Sequence, residues 1–212
     1  MVLFLTLLGG ICWTIVYIEL IRLGFKDKTY GMPFIALALN IAWETIYSYI
    51  SIKDNPTSVQ SWIILIWFLL DALIVYTYLR YGKKYFPKRL GEKYFMLWNG
   101  LIFLMSFVIQ YYFIVEFGDL GGWYSAFFQN LIMSILFINM IVRRMNTEGQ
   151  NLTIAINKWI GTLAPTILFG LIYENKLVLV LGIFCSVFDI IYISLLNNAK
   201  KTSFSRSKTF KA

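Results

Sequence analysis

Three carboxylic acids, Glu44, Asp71 and Asp189, stand in stretches of sequence that otherwise carry almost no charge. An aspartate at the centre of a membrane helix costs roughly 2.5–3.5 kcal/mol to insert, so such a group faces a cavity or a partner. A carboxylic acid kept neutral in a dry cavity is a proton donor. Around Glu44, the residues Asn40, Glu44, Tyr47 and Ser51 recur at helical spacing and predict one polar stripe on an apolar helix. Hydrogen bonding between helices is the plainer use of such a stripe. Cys185, Asp189 and Tyr192 share a helix face, while Gln129 and Asn130, with Ser125 and Ser134, give another helix more polarity than packing needs. Trp43, Trp67, Tyr76 and Tyr192 lie away from the helix ends, and aromatic faces stabilise a cation by roughly 0.5–2 kcal/mol each. A proton donor among such rings suits carbocation chemistry, although any single ring is as easily a packing residue.

The three acids are reached by elimination. Of the 11 acidic residues, Asp27, Asp54, Glu92, Asp119, Glu148 and Glu174 fall in loops, and Glu116 at a helix end. Glu19 is spaced to pair with Arg22. Composition removes other chemistries: there is no histidine, and the two cysteines, Cys12 and Cys185, lack the spacing of a zinc site or a disulfide framework. No metal and no cofactor are expected. The net charge of +8 sits between long hydrophobic runs in a chain that is 59% apolar, which predicts contact with membrane lipids and not with nucleic acid.

The elements that must position these groups are transmembrane helices, each needing about 20 mostly apolar residues. Seven windows qualify: Val2–Leu23, Pro33–Ile52, Val59–Tyr81, Tyr94–Phe117, Gly122–Val142, Thr153–Tyr173 and Leu177–Leu196. The expected fold is therefore an all-α integral membrane protein, a bundle of seven transmembrane helices. The first window lacks a basic leading segment and a cleavage site, and reads as a retained span. With seven spans, all of the 19 lysines and arginines except Lys53 and Lys176 fall on one side, Lys158 among them. That asymmetry predicts an extracytoplasmic amino terminus and a cytoplasmic carboxyl terminus. Residues 1–199 form the expected membrane domain, and the basic residues 200–212 a disordered tail. At 1.5 Å per residue, Glu44, Asp71 and Asp189 lie about 12–16 Å from the cytoplasmic helix ends, in one layer. No basic residue is expected at that depth.

The run Asn40-Ile41-Ala42-Trp43-Glu44 followed by Tyr47 resembles the membrane-integral terpene cyclases of fungal meroterpenoid and indole-diterpene pathways, the pyripyropene and paxilline cyclase type. Gly31-Met32-Pro33, Asp71 followed by Tyr81-Gly82, Ser125-Ala126 before Gln129-Asn130-Leu131 and Met133-Ser134, and Ser186-Val187-Phe188-Asp189 before Tyr192 extend the resemblance through the second to seventh windows. The resemblance implies an enzyme that protonates a terminal epoxide on a lipophilic prenylated substrate and guides the cation through ring closure. It also implies that Glu44 and Asp189 are the essential acids, either of which could supply the first proton. Asn40, Trp43, Tyr47, Trp67, Asp71, Gln129, Asn130 and Tyr192 would then support the donor or shape the pocket. The chain has no DDxxD-type or NSE-type metal motif and no DxDD motif, so neither metal-dependent ionisation of a diphosphate nor the soluble proton-initiated route is implied. It departs from the family in its minimal loops. The membrane would be the plasma membrane in a bacterium and the endoplasmic reticulum in a fungus. The alternative is a small proton-coupled transporter with spans arranged three, one and three, which would set Asp71 and Asp189 in equivalent helices.

Overall fold

The computed structural model describes the backbone of residues 1–209 and the side chains of residues 1–199. The expected disordered tail, Lys200 to Ala212, lies outside the residues whose side chains are described. All regular elements among the described residues are helical: α1 (Val2–Lys26), α2 (Phe34–Asp54), α3 (Val59–Tyr81), α4 (Phe95–Phe117), α5 (Gly121–Arg144), α6 (Leu152–Pro165) and α7 (Lys176–Thr209), with short 3-10 turns between them. Six stretches are long and apolar enough to cross a membrane, one of them the 53-residue run Glu92–Arg144 that contains both α4 and α5. Within it the chain turns at Gly118–Leu120, where Gly118 has φ +54°. A Cβ on Gly121 would stand 2.4 Å from the Phe113 carbonyl oxygen, so only glycine lets α5 fold back this closely on α4.

The helix α4 is apolar outward and mostly polar inward. On α4 the buried residues are Phe95, Asn99, Ser106 and Gln110, while Met96, Leu97, Leu101, Leu104, Val108 and Tyr112 are exposed. Such a surface is stable in hydrocarbon, where helices gain nothing by hiding leucine from lipid and associate through close packing and hydrogen bonds.

The extensive α1–α6 contact shows the close packing. A Cβ on Gly9 would touch Pro165 Cδ at 3.4 Å, and one on Gly161 would collide with Trp13 Cδ1 at 2.8 Å. Replacing Gly161 with leucine should therefore push the Trp13 indole out of place and cost about 1–3 kcal/mol. Thermal unfolding in detergent checks this, with unchanged stability as the contrary result.

Beyond Pro165 the helix continues as a π-helical segment, Thr166–Ile172. Proline brings no N–H to the ladder, and the wider turn restores pairing further on, with Tyr173 N–H donating to the Leu168 carbonyl at 3.0 Å. Helices that widen in this way often do so beside functional sites. Here the segment contributes Leu168 and Phe169 to the wall of the cavity described next.

Candidate active site

Between α1, α2, α3, α5 and α6 lies a cavity of about 300 Å³. It runs from Glu44 at mid-helix to Ser51, Gln60 and Asp119 at the ends of α2 and α3 and in the α4–α5 turn. Its rings are Trp13, Tyr17, Trp43, Tyr47, Trp67, Trp123, Phe127 and Phe169. Several are fixed in orientation: Trp43 Nε1 donates to the Gly122 carbonyl at 3.0 Å, and Trp67 Nε1 donates to Thr14 Oγ1 at 3.2 Å. The Trp43 and Tyr47 rings lie 4.8 Å apart, and Tyr17 meets Trp67 edge-on at 6.2 Å.

The polar end of this chamber is a hydrogen-bonded cluster centred on Asn40. Its side-chain nitrogen lies 2.6 Å from Tyr17 Oη, 3.0 Å from Glu44 Oε1 and 3.3 Å from Asp71 Oδ2. Its oxygen accepts from Gln129 Nε2 at 3.2 Å, and Gln129 Oε1 in turn accepts from Gln110 Nε2 at 2.7 Å. Tyr17 Oη donates to Glu44 Oε1 at 2.5 Å. One Glu44 oxygen is thus held by two donors, whereas Oε2 has no hydrogen-bond partner among the described residues and the residue is only 1% exposed. The geometry suits a neutral acid: Oε1 accepts as a carbonyl oxygen does, and Oε2 is free to carry the proton. When the proton leaves, the same two donors stabilise the carboxylate.

The predicted residues therefore separate. Asn40, Trp43, Glu44, Tyr47, Trp67, Gln129 and Asn130 line the cavity. Asp71 is fully buried, is not part of the lining, and is hydrogen-bonded to Asn40. Asp189 and Tyr192 are buried and are not part of the lining. Tyr192 packs its ring 5.1 Å from Phe137, and its hydroxyl has no hydrogen-bond partner among the described residues.

One expectation is overturned. Lys158, assigned by charge counting to the cytoplasmic edge, is fully buried and donates to Asp189 Oδ1 at 2.7 Å and to Ser134 Oγ at 2.6 Å. A basic residue does lie at the depth of the acids, and it neutralises Asp189. An ammonium about a turn and a half inside α6 is tolerated because α5 and α7 supply an oxygen each at that level. The Glu19–Arg22 pair forms as expected, at 2.8 Å. Sequence reasoning missed Trp13 and Tyr17 on α1 and Gln110 on α4. Neither Tyr17 nor Gln110 stands out in the sequence, because the acid of α1, Glu19, is accounted for by Arg22 and that of α4, Glu116, lies at the helix end. Among the described residues, no group of three or more Cys, Asp or Glu side chains could hold a metal ion.

No solved structure matches this chain. Residues 1–202 match the family model of Pyr4-like transmembrane terpene cyclases. The Pyr4-family terpene cyclase mfmH of Annulohypoxylon moriforme is 32% identical over 81% of this chain and 71% of its own length. The terpene cyclase adrI of Penicillium rubens is 30% identical over 70% of this chain and 60% of its own length. The terpene cyclase pyr4 of Aspergillus fumigatus is 24% identical over 88% and 82%. The match takes in the five helices that wall the chamber and the helices that bring Gln110 and Asp189 to the interior, so the chain belongs to the Pyr4-like transmembrane terpene cyclases.

Proposed function

We propose that this chain is a proton-initiated terpene cyclase in which Glu44 is the acid and the aromatic chamber holds an epoxidised prenyl chain, of the kind borne by meroterpenoid precursors. The observation that carries this reading is the place of Glu44 in the wall of the chamber, with Oε1 anchored by Tyr17 and Asn40 and Oε2 left without a hydrogen-bond partner among the described residues. The proton on Oε2 passes to the epoxide oxygen, the carbon–oxygen bond at the more substituted carbon breaks, and the cation is captured by the nearest alkene. Loss of a proton from the last cation completes an isomerisation with no change in mass. Exclusion of water keeps each cation from being quenched early. The ring faces stabilise positive charge wherever it moves along the chain. A volume of about 300 Å³ is at the lower end of small-molecule sites, which run to about 1,000 Å³.

In the membrane, α1 to α7 each cross once, with the amino terminus extracytoplasmic. The close turn at Gly118–Gly121 favours separate crossings for α4 and α5, and the loop charges favour the orientation. Family membership does not favour the transporter alternative. The test is incubation of purified protein in detergent with an aromatic compound bearing an epoxidised farnesyl or geranylgeranyl chain. The expected product is a cyclised isomer of equal mass. Uptake of the compound into vesicles without conversion would overturn the reading.

A further inference from the structure

A buried ammonium is an unexpected component for a wall that must accommodate carbocations. Lys158 Nζ lies 6.0 Å from the centre of the Trp13 ring, and Trp13 lines the chamber. The positive charge thus lies against a ring that also lines the space where the substrate cation forms. At such range and in such surroundings an uncompensated ammonium opposes a second positive charge strongly. The opposing charge is supplied by Asp189 at 2.7 Å, and both side chains are fully buried.

The pair also reaches the wall mechanically. Ser134 Oγ accepts from Lys158 and donates to the backbone carbonyl of Asn130 at 2.9 Å. Asn130 lines the chamber, is tied to Thr162 on α6 by a 2.9 Å hydrogen bond, and has a buried, unpartnered Oδ1. Three helices are thereby joined at one level: α5 through Ser134, α6 through Lys158 and α7 through Asp189.

We propose that Asp189 serves the reaction through Lys158 and not as a proton donor: its charge cancels the field of the ammonium that lies against Trp13. Both are positioning residues, and Glu44 is the only acid that gives up a proton to substrate. This rests on the cyclase reading above. A substrate without charge is indifferent to the net charge of the wall, whereas the cation-forming transition state is not, so the cost of an unpaired ammonium falls on kcat.

The test compares Asp189→Asn, Lys158→Met and the double variant Lys158→Met with Asp189→Leu, each purified in detergent and assayed for cyclisation and thermal unfolding. Asp189→Asn should lower kcat by roughly ten- to a hundredfold with KM within about threefold, and should lower the unfolding temperature. The double variant, with neither charge left, should regain the stability and return kcat to within about fivefold of the parent chain, because replacing a buried ion pair by apolar groups is often neutral. If Asp189→Asn does not fold, the double variant alone decides. A folded double variant as inactive as Asp189→Asn would overturn the proposal, because the carboxyl itself would then be required. Failure of the double variant to fold would also overturn it, because the pair would then do more than cancel charge. If the parent chain turns over no substrate, the cyclase reading fails, and recovery of unfolding temperature in the double variant still reports on the pair.

Discussion

Glu44→Gln should abolish cyclisation while leaving the protein folded. Glutamine keeps the length and shape of the side chain, and its carbonyl oxygen still accepts from Tyr17 Oη and Asn40 Nδ2 as Glu44 Oε1 does. The only thing removed is the acidic proton on the unpartnered oxygen. Positioned general acids contribute roughly 10²–10⁴-fold, and no other acid with a free oxygen lies mid-helix on the chamber wall among the described residues, so residual turnover should fall at or below the bottom of that range. Tyr17→Phe provides the graded comparison. It keeps the ring against Trp13 and Trp67 but removes one of the two donors that receive the carboxylate, and should lower kcat by roughly tenfold. Product formed under single-turnover conditions, with the unfolding temperature measured alongside, separates the two effects. Full turnover by a folded Glu44→Gln variant would end the assignment of Glu44.

The polar stripe on α2 was legible because a helix that must satisfy its own backbone leaves side-chain spacing as the only variable, and Asn40, Glu44 and Tyr47 are spaced to share a face. The structure sets all three on the chamber wall. Asp71 was legible by elimination, but its attachment to Asn40 was not, because nothing in the spacing of α3 states which helix it faces. Lys158 was misread for a definite reason. A lysine near the start of a transmembrane helix ordinarily extends its stem toward the headgroups, and a sequence does not distinguish that from a lysine turned inward to an aspartate 31 positions away. Tyr17 was missed because tyrosine is common in this chain and the acid beside it on α1, Glu19, is taken up by Arg22. Its importance comes from tertiary structure, which brings its hydroxyl to Glu44 from a helix 27 residues upstream. The missed residues are thus partners from other helices. In a bundle, periodicity defines one helix face at a time, while a site is made where several faces meet.

Asn40 tests that idea most severely, because it joins four helices and Asn40→Leu should damage both stability and activity. Its amide donates within the group formed by Tyr17, Glu44 and Asp71, and its oxygen accepts from Gln129. Leucine fills a similar space but leaves Gln129 Nε2 and Asp71 without these partners in a dry interior, each at a cost of about 1–3 kcal/mol. Glu44 keeps one donor of two, so its freed carboxylate is less well received and its rotamer less constrained. The expected outcome is a loss of about 3–5 kcal/mol in stability and at least a hundredfold loss of kcat. Adding Asp71→Leu separates the two losses. The double variant no longer buries an orphan carboxyl beside Glu44 and should regain part of the stability, yet it has no second donor for Glu44 and should remain slow. Recovery of activity in parallel with stability would mean that Asn40 only holds the fold, and that Glu44 needs nothing more than the Tyr17 hydroxyl to act.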